Sequence, residues 1–172
     1  GGAFNLSTGG ALSVTSAQIT GNANLSAAGN TSVTALSATG NVSLSITGNA
    51  ILTSVQSAAE LSAQVSGNAT LGSITASGAA SFNVSGAITD GHSEDAANTD
   101  GLDISATTLS ITAASLGTSS DAIETSVDTL SLSIGAGGAY VSEASALTLS
   151  SASVGGAFNL STGGALSVTS AQ

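Results

Sequence analysis

The chain has no lysine and no arginine, against ten acidic residues and one histidine, for a net charge of −10. That absence excludes two classes of partner. Nucleic acid is bound through cationic side chains on its phosphates, and an anionic membrane surface draws in basic segments; this chain offers neither. Cysteine is also missing, so no disulfide contributes to stability, which suits an extracellular bacterial protein held together by its architecture. Methionine is absent even at residue 1, as expected of a stretch cut from within a longer chain. With one tyrosine, three phenylalanines and no tryptophan, large side chains are scarce. A core made from what remains has to be thin, close-packed and repetitive. No run of 18 apolar residues occurs, so no transmembrane span is expected.

What is present is small, and it is patterned. Disordered chains are poor in hydrophobic residues and rich in charge, whereas this one is 41% hydrophobic and 6% charged. The eighteen residues GGAFNLSTGGALSVTSAQ at 1–18 return unchanged at 155–172. Residues 1–154 therefore read as one long tandem unit and 155–172 as the start of the next, within a single continuous segment, 1–172.

A shorter period runs inside the unit. Gly10, Gly29, Gly48, Gly67 and Gly86 stand 19 apart, and so do Gly2, Gly21 and Gly40. Asparagine often follows, at Asn22, Asn30, Asn41, Asn49 and Asn68, and Gly-Asn pairs that tolerate left-handed backbone angles are expected to form corners. Between corners apolar and polar residues alternate, the period of a half-buried strand. Stacking at 19 gives apolar columns Phe4, Ala23, Val42, Leu61, Ala80; Leu6, Leu25, Leu44, Ala63, Phe82; and Val14, Val33, Leu52, Leu71. A helical period is missing, and serine, threonine and β-branched residues are poor helix formers. Like residues recurring in columns point to in-register parallel stacking, and hence to an all-β parallel β-solenoid with about 19 residues per coil. At roughly 4.8 Å per coil the unit would be roughly 35–40 Å long.

The regularity breaks at Asp90, where the Val14 to Leu71 column calls for an apolar residue. Residues 89–101, TDGHSEDAANTDG, lack alternation and are expected to form an acidic loop leaving the solenoid. Eight of the ten acids fall between Asp90 and Asp128. With no cationic side chain to pair with, they are expected either to be solvated or to share a hard cation. Asp90, Glu94, Asp95, Asp100 and Asp103 form the candidate set for Ca2+, although their spacing matches neither an EF-hand nor the repeat of calcium-binding β-rolls. His92, the only histidine, excludes a multi-histidine zinc site and reads as a surface loop residue. Strand pattern resumes over 102–117 and 127–134, with a polar corner between.

The corners and strands of GNVSLSITGNAILTS, and the passage from LGTSSDAIETSVDTLSLSI into the second copy, resemble the repeats of giant bacterial surface exoproteins of the filamentous haemagglutinin type. The resemblance implies a right-handed parallel β-helix, exported and displayed at the cell surface as a long fibre, with adhesion or cell contact as the usual role.

These features lead to a structural expectation: a spacer in an extracellular stalk or filament, its main partner another copy of itself stacked on its bare strand edges, with lateral bundling a further mode of self-association. The alternative is an adhesive or Ca2+-dependent binding module acting through loop 89–101 on a carbohydrate or cell-surface target. An enzyme is not expected, since β-helical polysaccharide lyases need basic residues that are absent here. Ice binding would need a flat threonine array, and the column Thr15, Thr34, Thr53 stops at Gly72. Asn5, Asn24, Asn30, Asn41, Asn68, Asn83 and Asn159 begin glycosylation-type triplets, but serine and threonine are frequent enough to produce them unselected, and stacked asparagines can instead bond along their own ladder.

Overall fold

The computed structural model describes residues 2–92 and 101–172. Among these, every element is a β-strand, all nineteen strands join one sheet, and every strand pairing is parallel. No described helix is long and apolar enough to cross a membrane. The chain is a parallel β-solenoid.

Its register is the nineteen-residue lattice of the sequence. Phe4–Thr8 pairs with Ala23–Ala27, that strand with Val42–Ile46, and that in turn with Leu61–Val65, each residue opposite the one 19 further on. Leu25 thus lies opposite Leu44. Within each strand the alternation sorts residues by side: Val42, Leu44 and Ile46 are buried while Ser43 and Ser45 are exposed. Opposite this run, across the coil, lies a longer and slightly bent one, Leu12–Val14 followed by Ala17–Ile19 in the first coil, and the unbroken strands Ala50–Ser57 and Ala69–Ala76 further along. Two such runs per coil bring their inward side chains face to face. The result is a narrow core of Leu, Ile, Val and Ala in which Phe82 is the largest fully buried side chain.

The corners arise differently from the expectation. Left-handed backbone angles are confined to Gly21, Gly101 and Gly117 among the described glycines, so backbone permissiveness does not explain the glycine columns. Close approach does. Asn30 Oδ1 accepts the Asn49 N–H of the next coil at 2.9 Å, Asn49 Oδ1 that of Asn68, and Asn68 Oδ1 that of Ala87. Each asparagine thereby caps a backbone donor one coil away, and the glycine just before that donor leaves room for the amide. A Cβ on Gly48 would sit 2.5 Å from Asn30 Oδ1. On the flat side, Asn24 Nδ2 donates to Asn5 Oδ1 at 2.7 Å, so asparagines from the glycosylation-type triplets are engaged in ladders.

Two coils are longer. The step from Ile88 to Leu116 takes 28 residues and that from Leu116 to Ala139 takes 23. Both surpluses emerge from the bend of the longer run. The first leaves after Asp90, still in register with Leu71, and returns at Ile104, opposite Ile74. The loop therefore begins later than residue 89: Thr89 and Asp90 belong to the strand Ala87–Asp90. The second surplus is a tight turn from Gly117 to Ala122, closed by an antiparallel bridge between Thr118 and Asp121. The strand Ile123–Ile134 resumes before the expected 127.

The copies of the eighteen-residue stretch do not occupy equivalent columns. Following the partners of Leu12 upward gives Thr31, Ala50, Ala69, Ile88, Leu116, Ala139 and then Phe158. The column of Phe4 runs through Leu109, Leu130 and Leu149 to Val168. Phe158 is the counterpart of Phe4, and Val168 that of Val14. Identical segments have exchanged sides, so one unit spans about seven and a half coils.

Candidate functional site

The acidic residues gather where the long coils bulge. Asp103 is part of the ladder, its carbonyl accepting the Ile74 N–H at 2.7 Å and its N–H donating to the Glu124 carbonyl at 3.0 Å. Its side chain is fully buried, with Oδ2 accepting the Glu124 N–H at 3.0 Å. Asp90 closes the other side of the loop stem and is also buried. Its Oδ1 accepts the His92 N–H at 2.7 Å, a two-residue turn that swings the imidazole back over the stem. His92 Nδ1 then lies 3.2 Å from Asp90 Oδ1 and 3.3 Å from Asp103 Oδ1.

Of the five residues expected to share a cation, the structure brings Asp90 and Asp103 together. Glu94, Asp95 and Asp100 lie outside the described residues. The expectation of a solvated acidic loop fails for the two stem residues, and His92, expected as a surface loop residue, is half-buried against both carboxylates. A sign of this was present in the sequence: Asp90 stands in a column whose other members all face inward. The approach of Asp103, thirteen positions later, had no such sign, because the length of an insertion does not reveal where its ends meet.

The electrostatics follow from burial. Loss of solvent, with further pressure from Asp90 and the nearby Glu124 charge, pushes the Asp103 carboxyl up to about 10 against the pull of the Glu124 N–H. Burial acts on Asp90 in the same sense, but hydrogen bonds from the Asp103 carboxyl and the His92 N–H, together with the His92 ring, outweigh it and hold Asp90 below the ordinary carboxylate range. Burial thus drives Asp103 toward its protonated form, while its hydrogen bonds and the His92 ring keep Asp90 toward its ionised form.

This arrangement fixes the sign of a pH dependence. An acid whose folded pKa is raised stabilises most below its unfolded value of 3.8, and that contribution is lost as pH rises toward 10, because the unfolded chain releases the proton and the folded one retains it. Asp90 works oppositely, its contribution present above 3.8 and lost at lower pH. Among the described residues, His92 and Glu124 are the other titratable groups facing the pair. Asp103→Asn supplies the donor permanently. In chelator-treated protein it should raise the thermal midpoint by about 2–4 °C at about pH 8 and flatten the decline seen in the parent between about pH 5 and 9. A parallel decline in both proteins would show that Asp103 is ionised in the fold.

A second buried acid has a different role. Glu143 occupies the inward column of Ala17, Leu36, Val55, Ile74, Ile104 and Thr125. Its Oε2 accepts the Thr125 hydroxyl at 2.9 Å and the Val127 N–H at 3.0 Å, and its Oε1 accepts the N–H and hydroxyl of Ser145. Four donors satisfy it, so it braces a corner and leaves nothing for a ligand. The Asp90, His92 and Asp103 group, in contrast, has donor atoms within 4.8 Å of one another and the means to hold a proton or a cation.

Comparison with family models, with curated proteins and with solved structures yields no match to this chain.

Proposed function

We propose that the chain is a structural repeat of a long extracellular bacterial fibre or giant surface adhesin, a spacer whose units stack end to end. The observation that carries this reading is continuity across the repeat boundary. The second copy lays Phe158–Thr162 in register on Ala139–Glu143, and Leu166–Val168 on Leu147–Leu149, as part of the same parallel ladder as the rest. Units joined this way add length without a new folding problem, since each coil contacts only its neighbours. Right-handed winding is part of the proposal, being the hand by which parallel crossovers pack. The similarity to filamentous-haemagglutinin-type repeats and the lack of lysine and arginine, which denies trypsin-like proteases a cleavage site, support a durable exported fibre.

The exchange of sides makes the proposal specific. In a chain of several tandem units imaged by electron microscopy, the rod should lengthen by roughly 36 Å per unit. A bulky tag inserted in the loop after His92 of every unit should appear on alternating sides, so that the axial period is roughly 72 Å, fifteen coils. Tags on one side only, or a compact particle in place of a rod, would overturn it. An adhesive role for the loop has a separate test. Shortening residues 93–100 to a minimal connection should leave attachment to host cells or carbohydrate surfaces unchanged if the unit is a spacer, and abolish it if the loop is the binding element.

A further inference from the structure

We propose that Asp90, His92 and Asp103 form a site for one divalent cation of the zinc class, clamping the stem of the loop. The inference does not rest on the fibre proposal and would hold for an isolated unit.

Three observations converge. The first is chemical: two buried carboxylates face each other in a chain that has no lysine or arginine, so apart from His92, which is a cation only when protonated, a balancing cation has to come from solution. The second is an atom without a partner. Asp90 is nine-tenths buried, and among the described residues its Oδ2 meets no hydrogen-bond donor, an expensive position for a carboxylate oxygen. The third is metric. His92 Nδ1 stands 3.2 and 3.3 Å from the two Oδ1 atoms. Those distances are long for charge-assisted N–H···O bonds, which close to about 2.7–2.9 Å. Ligands bound at 2.0–2.1 Å around a tetrahedral ion stand about 3.3–3.4 Å apart.

The donor set selects the ion. A nitrogen ligand with two carboxylates suits zinc and its neighbours, whereas Ca2+ takes six to eight oxygens. The three ligands leave at least one position for water or an external oxygen ligand. The stem is also built to be rigid. Asp90 ends a paired strand and Asp103 is tied to the coils on both sides. Gly101, at φ +146, brings the returning chain to the imidazole with its Cβ position 3.5 Å from His92 Nε2, a backbone angle that other residues rarely adopt.

The test uses the full chain stripped with a chelator and titrated calorimetrically with zinc chloride and, separately, calcium chloride. The expected result is one Zn2+ per chain, a higher thermal midpoint with zinc, and no comparable effect of calcium. Cobalt(II) in the same site should give visible d–d bands. Asp90→Asn and His92→Gln should each weaken zinc binding by at least about 10-fold, since even groups that only support a ligand have that effect, while Glu60→Gln leaves it unchanged. Thermal melts without metal verify that each variant folds. Absence of zinc binding, binding that survives His92→Gln, or a preference for calcium would overturn the proposal.

Discussion

Replacing Phe82 with alanine should lower the unfolding free energy by about 3–5 kcal/mol, the range for removing a large buried aromatic side chain. The ring lies 1% exposed in the column Leu6, Leu25, Leu44, Ala63, Phe82, Ile111, Leu132. Its size is accommodated because the residue beneath it is the small Ala63. That complementarity makes the loss costly: once the ring is gone, two alanines stack between Leu44 and Ile111, and strands fixed in register by their ladders cannot collapse to fill the void. Denaturant unfolding followed by circular dichroism gives the change. A second substitution, Ala63→Leu in the Phe82→Ala background, should recover part of it, because volume returns to the same cavity. A loss below about 1 kcal/mol would mean that the core around residue 82 is not packed as described.

Gly67→Val should be nearly as damaging, by about 2–4 kcal/mol, although it removes no core atom. A Cβ at Gly67 would lie 2.8 Å from the Gly48 carbonyl oxygen and collide with Asn49 Oδ1, the acceptor for the Asn68 N–H. Overpacking of this kind costs about 1–3 kcal/mol, and the displaced hydrogen bond about 1 kcal/mol more. Asn49→Gly, which deletes the obstructing amide, should make the valine less costly, so the two substitutions should couple in a double-mutant cycle. The contrasting position is Gly135, where the nearest atoms to a Cβ lie at an ordinary 3.7 Å. Gly135→Ala should be neutral or slightly stabilising, through the unfolded chain. If Gly67→Val and Gly135→Ala behave alike, the glycine columns are not explained by the asparagine ladder.

The sequence was most legible where it repeats most strictly. From Phe4 to Val84 the inward columns that begin at Phe4, Leu6 and Val14 could be written down from the spacing alone, because the side-chain period of a strand and the length of a coil are both fixed numbers. The corners were legible as positions but not as mechanism: Gly-Asn suggested left-handed turns, and the actual cause is an amide reaching one coil further. Legibility fell off after Asp90. Insertions of different length in consecutive coils carry no periodic mark, and the acids they contain looked like solvent-facing charge. Asp90, Asp103, Glu124 and Glu143 are buried, because each sits at or beside an inward column of the rod.

By itself, the sequence determined that this is a stack of nineteen-residue parallel coils with an irregular acidic interruption, since only in-register stacking makes like residues recur at that interval. The tertiary structure decided two further things. The surplus residues of the two long coils both emerge from the same bend, which folds Asp90, His92 and Asp103 onto one another from opposite ends of a loop. The unit then closes on a half-integral number of coils, so an identical peptide lies on one side of the rod at residues 4–8 and on the other at 158–162. Both depend on how much chain each coil takes up in space, a three-dimensional quantity that a count along the sequence does not contain.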